Sequence, residues 1–168
     1  MRKLSAFVLP LLLAGCGLTP MYAGGGNGAV AQGLASIDVA AIEGKNGWLV
    51  RNALVDRLGA TKGQAGTARY RLDVRLDDTL EGLALLSNDT IGRERRTLRA
   101  RYQLVDLSSG EIVLDATAAS DAGIDVVSSE YATIAAENTA LENLSRDVAD
   151  RIVTNVALRM RRSGAGHP

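Results

Sequence analysis

Residues 70–77 read Tyr-Arg-Leu-Asp-Val-Arg-Leu-Asp, four apolar side chains alternating with four charged ones. A period of two is typical of a β-strand with one face on the hydrophobic core and the other on water or a polar partner. The apolar character continues from Thr79 to Leu86, and Ser87-Asn88-Asp89 predicts a turn. The stretch therefore predicts the first strand of a long hairpin.

The chain after this turn predicts two more strands. Residues 91–107 alternate again and are predicted to form the returning strand, and residues 111–120 the last one, after a turn at 106–110. The expected inward side chains of the returning strand are Leu98, Ala100, Tyr102 and Leu104, and the expected outward ones are Arg99, Arg101 and Gln103. The expected inward side chains of the last strand are Ile112, Leu114, Ala116 and Ala118.

A strand and a helix are predicted before residue 70. Residues 36–42 fit a short strand, and Asn46-Gly47 offers an N-cap for a helix over 48–58. Val50, Leu54 and Leu58 recur at helical spacing, so this helix has one apolar stripe. Gly59 stands where a C′ glycine would end it.

The chain from Ser129 onward has a period of 3.6 and predicts a second helix over 130–162. Such a helix would be about 50 Å long if unbroken, against about 33 Å for a ten-residue strand. Either its first turns are looser than the pattern suggests, or it extends beyond the sheet. The predicted apolar stripe consists of Ile134, Leu141, Leu144, Val148, Ile152 and Val156, supported by Ala140 and Ala149.

The predicted element order is β-α-β-β-β-α. Strands with one apolar face and helices with one apolar stripe predict an α+β fold, a two-layer sandwich with two helices on one face of a mixed four-stranded sheet. Residues 35–162 are predicted to form this single domain, and residues 163–168 a disordered tail.

The N-terminal segment has the pattern of an export signal. Arg2 and Lys3 precede ten residues that are mostly apolar, too few to span a bilayer. Leu13-Ala14-Gly15-Cys16 resembles the bacterial lipobox, in which the cysteine is acylated and becomes the new N-terminus. We expect residues 1–15 to be a lipoprotein signal peptide, Cys16 to carry the lipid, and residues 16–34, glycine-rich over 24–28, to be an anchor and flexible tether.

The composition disfavours several classes of function. Removal of Arg2 and Lys3 lowers the basic count from 19 to 17, against 19 acidic residues, so the mature chain has no basic field to collect nucleic acid. The single histidine, His167, lies next to the C-terminus, and the single cysteine is Cys16. We therefore expect neither a metal site nor a cofactor nor a His-dependent or Cys-dependent catalytic site, and we expect a protein that is not an enzyme.

Several segments resemble the LptE family of lipopolysaccharide-assembly lipoproteins. The segment 16–22, Cys-Gly-Leu-Thr-Pro-Met-Tyr, is similar to that family's opening, with Leu18 in place of an aromatic residue. The family's sheet is resembled by residues 70–74 and by residues 102–106 with the Ser-Gly turn that follows them. Its last helix is resembled by residues 131–137. The resemblance implies an outer-membrane lipoprotein on the periplasmic side that plugs the LptD β-barrel at 1:1, assists its assembly and helps lipopolysaccharide reach the outer leaflet.

Five arginines crowd the start of the returning strand: Arg93, Arg95, Arg96, Arg99 and Arg101. All except Arg96 share odd numbering, so on a regular strand they project from one face. Arginine matches phosphate geometry, and lipid A carries phosphates, so these five residues are candidate lipopolysaccharide contacts. The alternative, which we favour, is a solvated face whose cations pair with Asp73, Asp77 and Asp78 across the sheet, or with acidic groups of the barrel.

Two other functions are compatible with the sequence. One is an accessory lipoprotein of a different envelope transport complex, which would associate with a different membrane partner. The other, less favoured, is a cell-wall-acting enzyme that relies on carboxylates, whose activity would be lost when one acid is replaced.

Overall fold

The structure is a computed structural model and describes residues 28–59, 68–85 and 91–165. The predicted signal peptide, Cys16, the turn at 87–89 and residues 166–168 lie outside these ranges. The elements are α1 (Ala29–Ala35), β1 (Ile37–Val39), α2 (Gly44–Leu58), β2 (Tyr70–Leu85), β3 (Ile91–Asp106), β4 (Ile112–Asp125) and α3 (Glu130–Ala165).

The strands form one mixed four-stranded sheet in the order β1-β2-β3-β4. β1 runs parallel to β2, with Ile37 opposite Tyr70, and the two remaining pairs are antiparallel. The helices and the sheet share a single hydrophobic core, which places α2 and α3 on the same face of the sheet. The predicted α+β two-layer fold is confirmed.

The core follows the predicted alternation in β2 and β3, whereas in β4 the predicted inward position of Ile112 is wrong, because this side chain is 50% exposed. In β2 and β3 the even-numbered side chains point to the helices, and Leu72, Leu98, Ala100 and Tyr102 are fully buried. Each large apolar side chain removed from water in this way contributes about 1.5–3 kcal/mol. The helices complete the core with Val50, Leu54 and Leu58 of α2 and with Leu141, Leu144, Val148, Ile152 and Val156 of α3.

Helix α2 begins earlier than the sequence indicates. It starts at Gly44 after the N-cap residue Glu43, so the predicted N-cap at Asn46-Gly47 is wrong. Gly47 is buried inside the first turn, where a Cβ atom would lie 2.5 Å from the carbonyl oxygen of Ile42. Because Gly47 has no side chain, the first turn of α2 can pack directly against Ile42 in the segment that precedes the helix. The predicted end is confirmed, because Gly59 has the left-handed conformation with φ of 69°.

Residues 29–35 form α1, so the prediction of a flexible tether through residue 34 is wrong for its last six residues. Leu34 is 3% exposed and belongs to the core. A Cβ atom on Gly33 would lie 2.8 Å from the sulfur of Met160, which shows how closely α1 approaches the end of α3. A seven-residue helix is marginal by itself, and this one is stabilised by its contacts with α3.

Helix α3 is continuous over 36 residues, about 54 Å. Its helical backbone includes residues 163–165, so the predicted disordered tail is wrong at those positions. Its first turns project beyond the core, because Ala140 is the first buried apolar residue of this helix. Ile134, in those first turns, is 48% exposed. Ile134 was therefore wrongly assigned to the apolar stripe. None of the helices in the described ranges combines the length and apolar composition that crossing a bilayer requires.

Candidate functional surface

The sheet face that points away from the helices, termed here the outer face, is almost entirely polar. β2 contributes alternating charges at Arg71, Asp73, Arg75, Asp77 and Glu81, because its odd-numbered side chains point outward. β3 contributes arginines, and β4 contributes acids at Asp115, Asp121 and Asp125, which are all exposed. A face of this kind is suited to water or to a polar partner, since it offers little apolar surface to bury.

The arginine cluster of β3 is divided between the two faces of the sheet. Arg93, Arg95, Arg99 and Arg101 lie exposed on the outer face, as their shared odd numbering predicts. Arg96 lies on the helix side, where its side chain is 17% exposed. Arg96 therefore cannot belong to one surface with the other four.

The acids of β4 neutralise three of the four outer arginines. The guanidinium of Arg101 lies 3.1 Å from the carboxylate of Asp115, which also accepts a hydrogen bond of 2.8 Å from Gln103. Arg101 and Gln103 together lower the pKa of the Asp115 carboxyl. Two longer pairs join Arg93 to Asp125 at 3.6 Å and Arg95 to Asp121 at 3.9 Å.

The structure thus supports the favoured alternative, in which the cluster arginines form ion pairs with carboxylates. Most of these carboxylates are not the ones predicted. Asp73 pairs with Arg71 at 2.9 Å, and of the three predicted acids only Asp78 pairs with a cluster arginine, Arg96. The contribution of β4 was missed, although Asp115, Asp121 and Asp125 share odd numbering on one strand. That shared parity, together with the hairpin register, was the signal that could have revealed it.

Two outer-face cations have no ion pair in the part of the chain that the structure describes: Arg75 of β2 and Arg99 of β3. Arg75 lies opposite Arg101 in the β2–β3 register, so two like charges face each other, and Arg99 lies opposite Asp77. Arg75, Asp73, Arg101 and Gln103, with Ala40 and Ala41 at the edge of the sheet, line an open polar notch of about 450 Å³. Sequence reasoning included Arg99 among the candidates and missed Arg75.

The described residues contain no cluster of three or more His, Cys, Asp or Glu side chains that could hold a metal ion. The fully buried Tyr102 hydroxyl lies 2.9 Å from Asn155 Nδ2, which donates to it. Burial raises the pKa of Tyr102, so the phenol stays protonated and serves packing. The chemistry available on this surface is polar recognition.

Comparison with solved structures agrees with this fold. A structure described as that of a lipoprotein from Caulobacter crescentus CB15 is 24% identical, covers 82% of this chain and 97% of its own, and superposes with a TM-score of 0.64. The rare lipoprotein B of Shewanella oneidensis is 11% identical over 77% of this chain and 100% of its own, with a TM-score of 0.55. Lipoprotein B of Nitrosomonas europaea is 14% identical over 77% of this chain and 83% of its own, with a TM-score of 0.54.

No curated protein matches the chain. The family model described as LptE, lipopolysaccharide-assembly, matches residues 34–156. This match spans the domain from α1 to the last third of α3, and so includes the sheet that carries the outer face. The chain belongs to the LptE family of lipopolysaccharide-assembly lipoproteins.

Proposed function

We propose that this chain is an outer-membrane lipoprotein that occupies the lumen of the LptD β-barrel, assists the assembly of that barrel and helps deliver lipopolysaccharide to the outer leaflet. The observation that carries the proposal is the family match over residues 34–156. The outer face supports it physically, because barrel lumens are polar and the outer face presents alternating charges in place of apolar area.

The proposed anchor is a lipid on Cys16, which lies outside the described residues. The lipobox-like sequence 13–16 supports it, and so does membership in a lipoprotein family of the Gram-negative envelope. Gly17, in place of an aspartate, follows the cysteine and favours the outer membrane as the destination. Acylation at two or three positions would hold the domain firmly at the periplasmic side of that membrane.

The proposed role is positional and not catalytic. The LptE family is a non-enzymatic lipoprotein family. One such domain filling one barrel implies a 1:1 complex.

Extraction of outer membranes in mild detergent, followed by affinity capture of a tagged copy, tests the partner. We expect a large β-barrel protein to co-purify in a 1:1 ratio. Capture of a different envelope complex would support an accessory lipoprotein of another transport system and would overturn the barrel proposal, as would capture of the chain alone.

The anchor has its own test. We expect the wild-type chain to incorporate a radiolabelled fatty acid and to fractionate with the outer membrane. The matched variant Cys16→Ala should lose the label, and an equal label on both chains would contradict lipidation at Cys16.

A further inference from the structure

The helix side of the sheet is covered by two helices along only part of its length. Helix α2 begins at Gly44, level with Asp78 of β2, because Asn46 Nδ2 donates to Asp78 Oδ2 at 3.4 Å. β2 continues beyond this level to Leu85, and α3 reaches back to Glu130. Beyond Asp78, α3 is therefore the only helix in the described part of the chain that lies over the sheet.

Three exposed apolar side chains surround this less covered part of the sheet. Leu80 of β2 is exposed, and its even number places it on the helix side. Ile134 lies two turns before the buried Leu141, on the same side of α3, and is exposed as well. Tyr131, one turn before Ile134, is almost fully exposed. We call Leu80, Tyr131 and Ile134, together with Glu94 of β3, the far shelf.

Arg96 shows that the strand and the helix of the far shelf are adjacent. It lies opposite Leu80 in the β2–β3 register, and its Nη1 donates to the carbonyl oxygen of Glu137 at 3.2 Å. Glu137 comes one turn after Ile134 in α3. Leu80 and Ile134 therefore flank a single surface.

Glu94 gives the far shelf a carboxylate oxygen without a partner. The register places Glu94 between Gly82, which has no side chain, and the buried Ile124. Its Oε2 atom is buried and accepts no hydrogen bond from any described residue. Buried carboxylate oxygens are nearly always hydrogen-bonded, because water is lost without replacement when they are not. This atom therefore requires a donor that the described chain does not supply.

The charges around the far shelf are predominantly negative. Glu130 and Glu137 lie on the same side of α3 as Ile134, and like Glu94 they form no ion pair within the described residues. The guanidinium of Arg96 is already held by Asp78 at 2.6 Å. Opposite charges attract and like charges repel, most strongly where water is excluded. The far shelf therefore favours a cationic ligand and disfavours a phosphate.

We propose that the far shelf receives a segment of the enclosing barrel protein in which a lysine or arginine stands beside an apolar side chain. The apolar side chain packs on Leu80 and Ile134, and the cation donates to Glu94 Oε2. Burial of that cation is favourable because it is paired and hydrogen-bonded. The inference rests on the proposed function, which supplies one barrel for each domain. It adds a second contact surface, on the side of the sheet opposite to the outer face.

Photocrosslinking tests which partner lies on the far shelf. The full lipidated chain carries p-benzoylphenylalanine in place of the exposed Tyr131, and outer membranes are irradiated. We expect a covalent adduct with the barrel protein, and mass spectrometry of the adduct should identify a segment in which Lys or Arg stands beside an apolar residue. An adduct with lipopolysaccharide alone, or with a barrel segment that has no cation, would overturn the proposal.

The variant Glu94→Gln tests the ion pair. Captured complexes are held in urea, and the release of the barrel is timed. We expect the variant to release the barrel roughly tenfold faster or more than wild type, because a buried charge pair mainly slows dissociation. Glu111→Gln is the matched control, since Glu111 is an exposed acid at the other end of the sheet, and it should release the barrel at the wild-type rate. Equal rates for Glu94→Gln and wild type would contradict the pairing.

The stability of the full chain purified without the barrel supplies a second measurement. Glu94→Gln removes an unpaired buried charge, so its urea unfolding midpoint should not fall below that of wild type. A lower midpoint would show that Glu94 has a partner within its own chain and would overturn the proposal. Failure of the inference differs from failure of the proposed function. A barrel that co-purifies but gives no adduct at position 131 overturns the inference alone, whereas the absence of any barrel overturns both.

Discussion

Arg96 and Asp78 form a two-point ion pair on the helix side of the sheet. Arg96 Nε lies 2.9 Å from Asp78 Oδ1, and Nη2 lies 2.6 Å from Oδ2. The remaining terminal nitrogen donates to the carbonyl oxygen of Glu137 at 3.2 Å, so one side chain connects β3, β2 and α3. The hydrogen bond to Asp78 is the main cause of the raised pKa of Arg96. A cation that the sequence groups with a surface cluster is therefore a structural link.

Replacing Arg96 by Gln should destabilise the fold. The change leaves the largely buried Asp78 carboxylate without its cationic partner, so we expect the free energy of unfolding to fall by about 1–3 kcal/mol. Urea unfolding of the full chain in detergent, followed by circular dichroism, measures it. The matched control is Arg99→Gln on the exposed face of the same strand, with an expected effect within about 0.5 kcal/mol. Equal effects of the two variants would contradict the structural role of Arg96.

Two apolar residues of α3 should respond very differently to truncation. Leu144 is 1% exposed, so Leu144→Ala creates a cavity and should cost about 2–5 kcal/mol of unfolding free energy. Ile134 is 48% exposed, so Ile134→Ala should change stability by about 0.5 kcal/mol or less. The same unfolding experiment compares them. A large loss for Ile134→Ala would show that the first turns of α3 are packed after all.

Asp106 should contribute to stability in a pH-dependent way. Its carboxylate accepts hydrogen bonds from the hydroxyl and, at 2.9 Å, the amide of Ser108, and it lies 3.6 Å from Arg69. The Ser108 hydroxyl is the largest cause of its lowered pKa. Since the folded pKa lies below the unfolded value of about 3.9, this stabilisation is present above that value and is lost as the pH falls through the folded pKa.

We expect Asp106→Asn to be less stable than wild type near neutral pH and to lose less stability on acidification below pH of about 4. Thermal unfolding between neutral and acidic pH measures both slopes. Asp115 and Asp150 also have lowered pKa values and titrate in both chains, so the difference between the slopes isolates Asp106. Parallel curves would contradict the prediction.

Direct contact with lipopolysaccharide should depend on the unpaired outer-face cations. Arg75 and Arg99 make no ion pair in the described residues, whereas Arg101 is held by Asp115. If lipopolysaccharide phosphates bind this face, Arg75→Gln with Arg99→Gln should weaken binding of the purified lipid more than Arg101→Gln. Affinity measured with immobilised chain would show this, and unchanged affinity in the double variant would exclude lipid contact at these residues.

The sequence by itself determined those helices and strands whose pattern is carried by residues close together in the chain. The alternation at residues 70–77 and 98–104 and the helical spacing of Val50, Leu54 and Leu58 predicted the strands, the helix and their buried faces correctly. These patterns follow from backbone geometry, which turns successive strand side chains to opposite faces and brings helix residues three and four apart together. The left-handed end of α2 at Gly59 was predictable for the same reason.

Only the tertiary structure decided which side chains meet. The register of β3 with β4 gave the outer arginines their acids, and α3 over the sheet gave Arg96 a buried site beside Asp78. Packing against α3 made a helix of residues 29–35, which directly follow the glycine-rich run 24–28 that indicated a tether. The exposure of Ile134 depended on where the core ends. Such contacts join residues far apart in the chain, and their energies depend on distance and burial, which no local periodicity encodes.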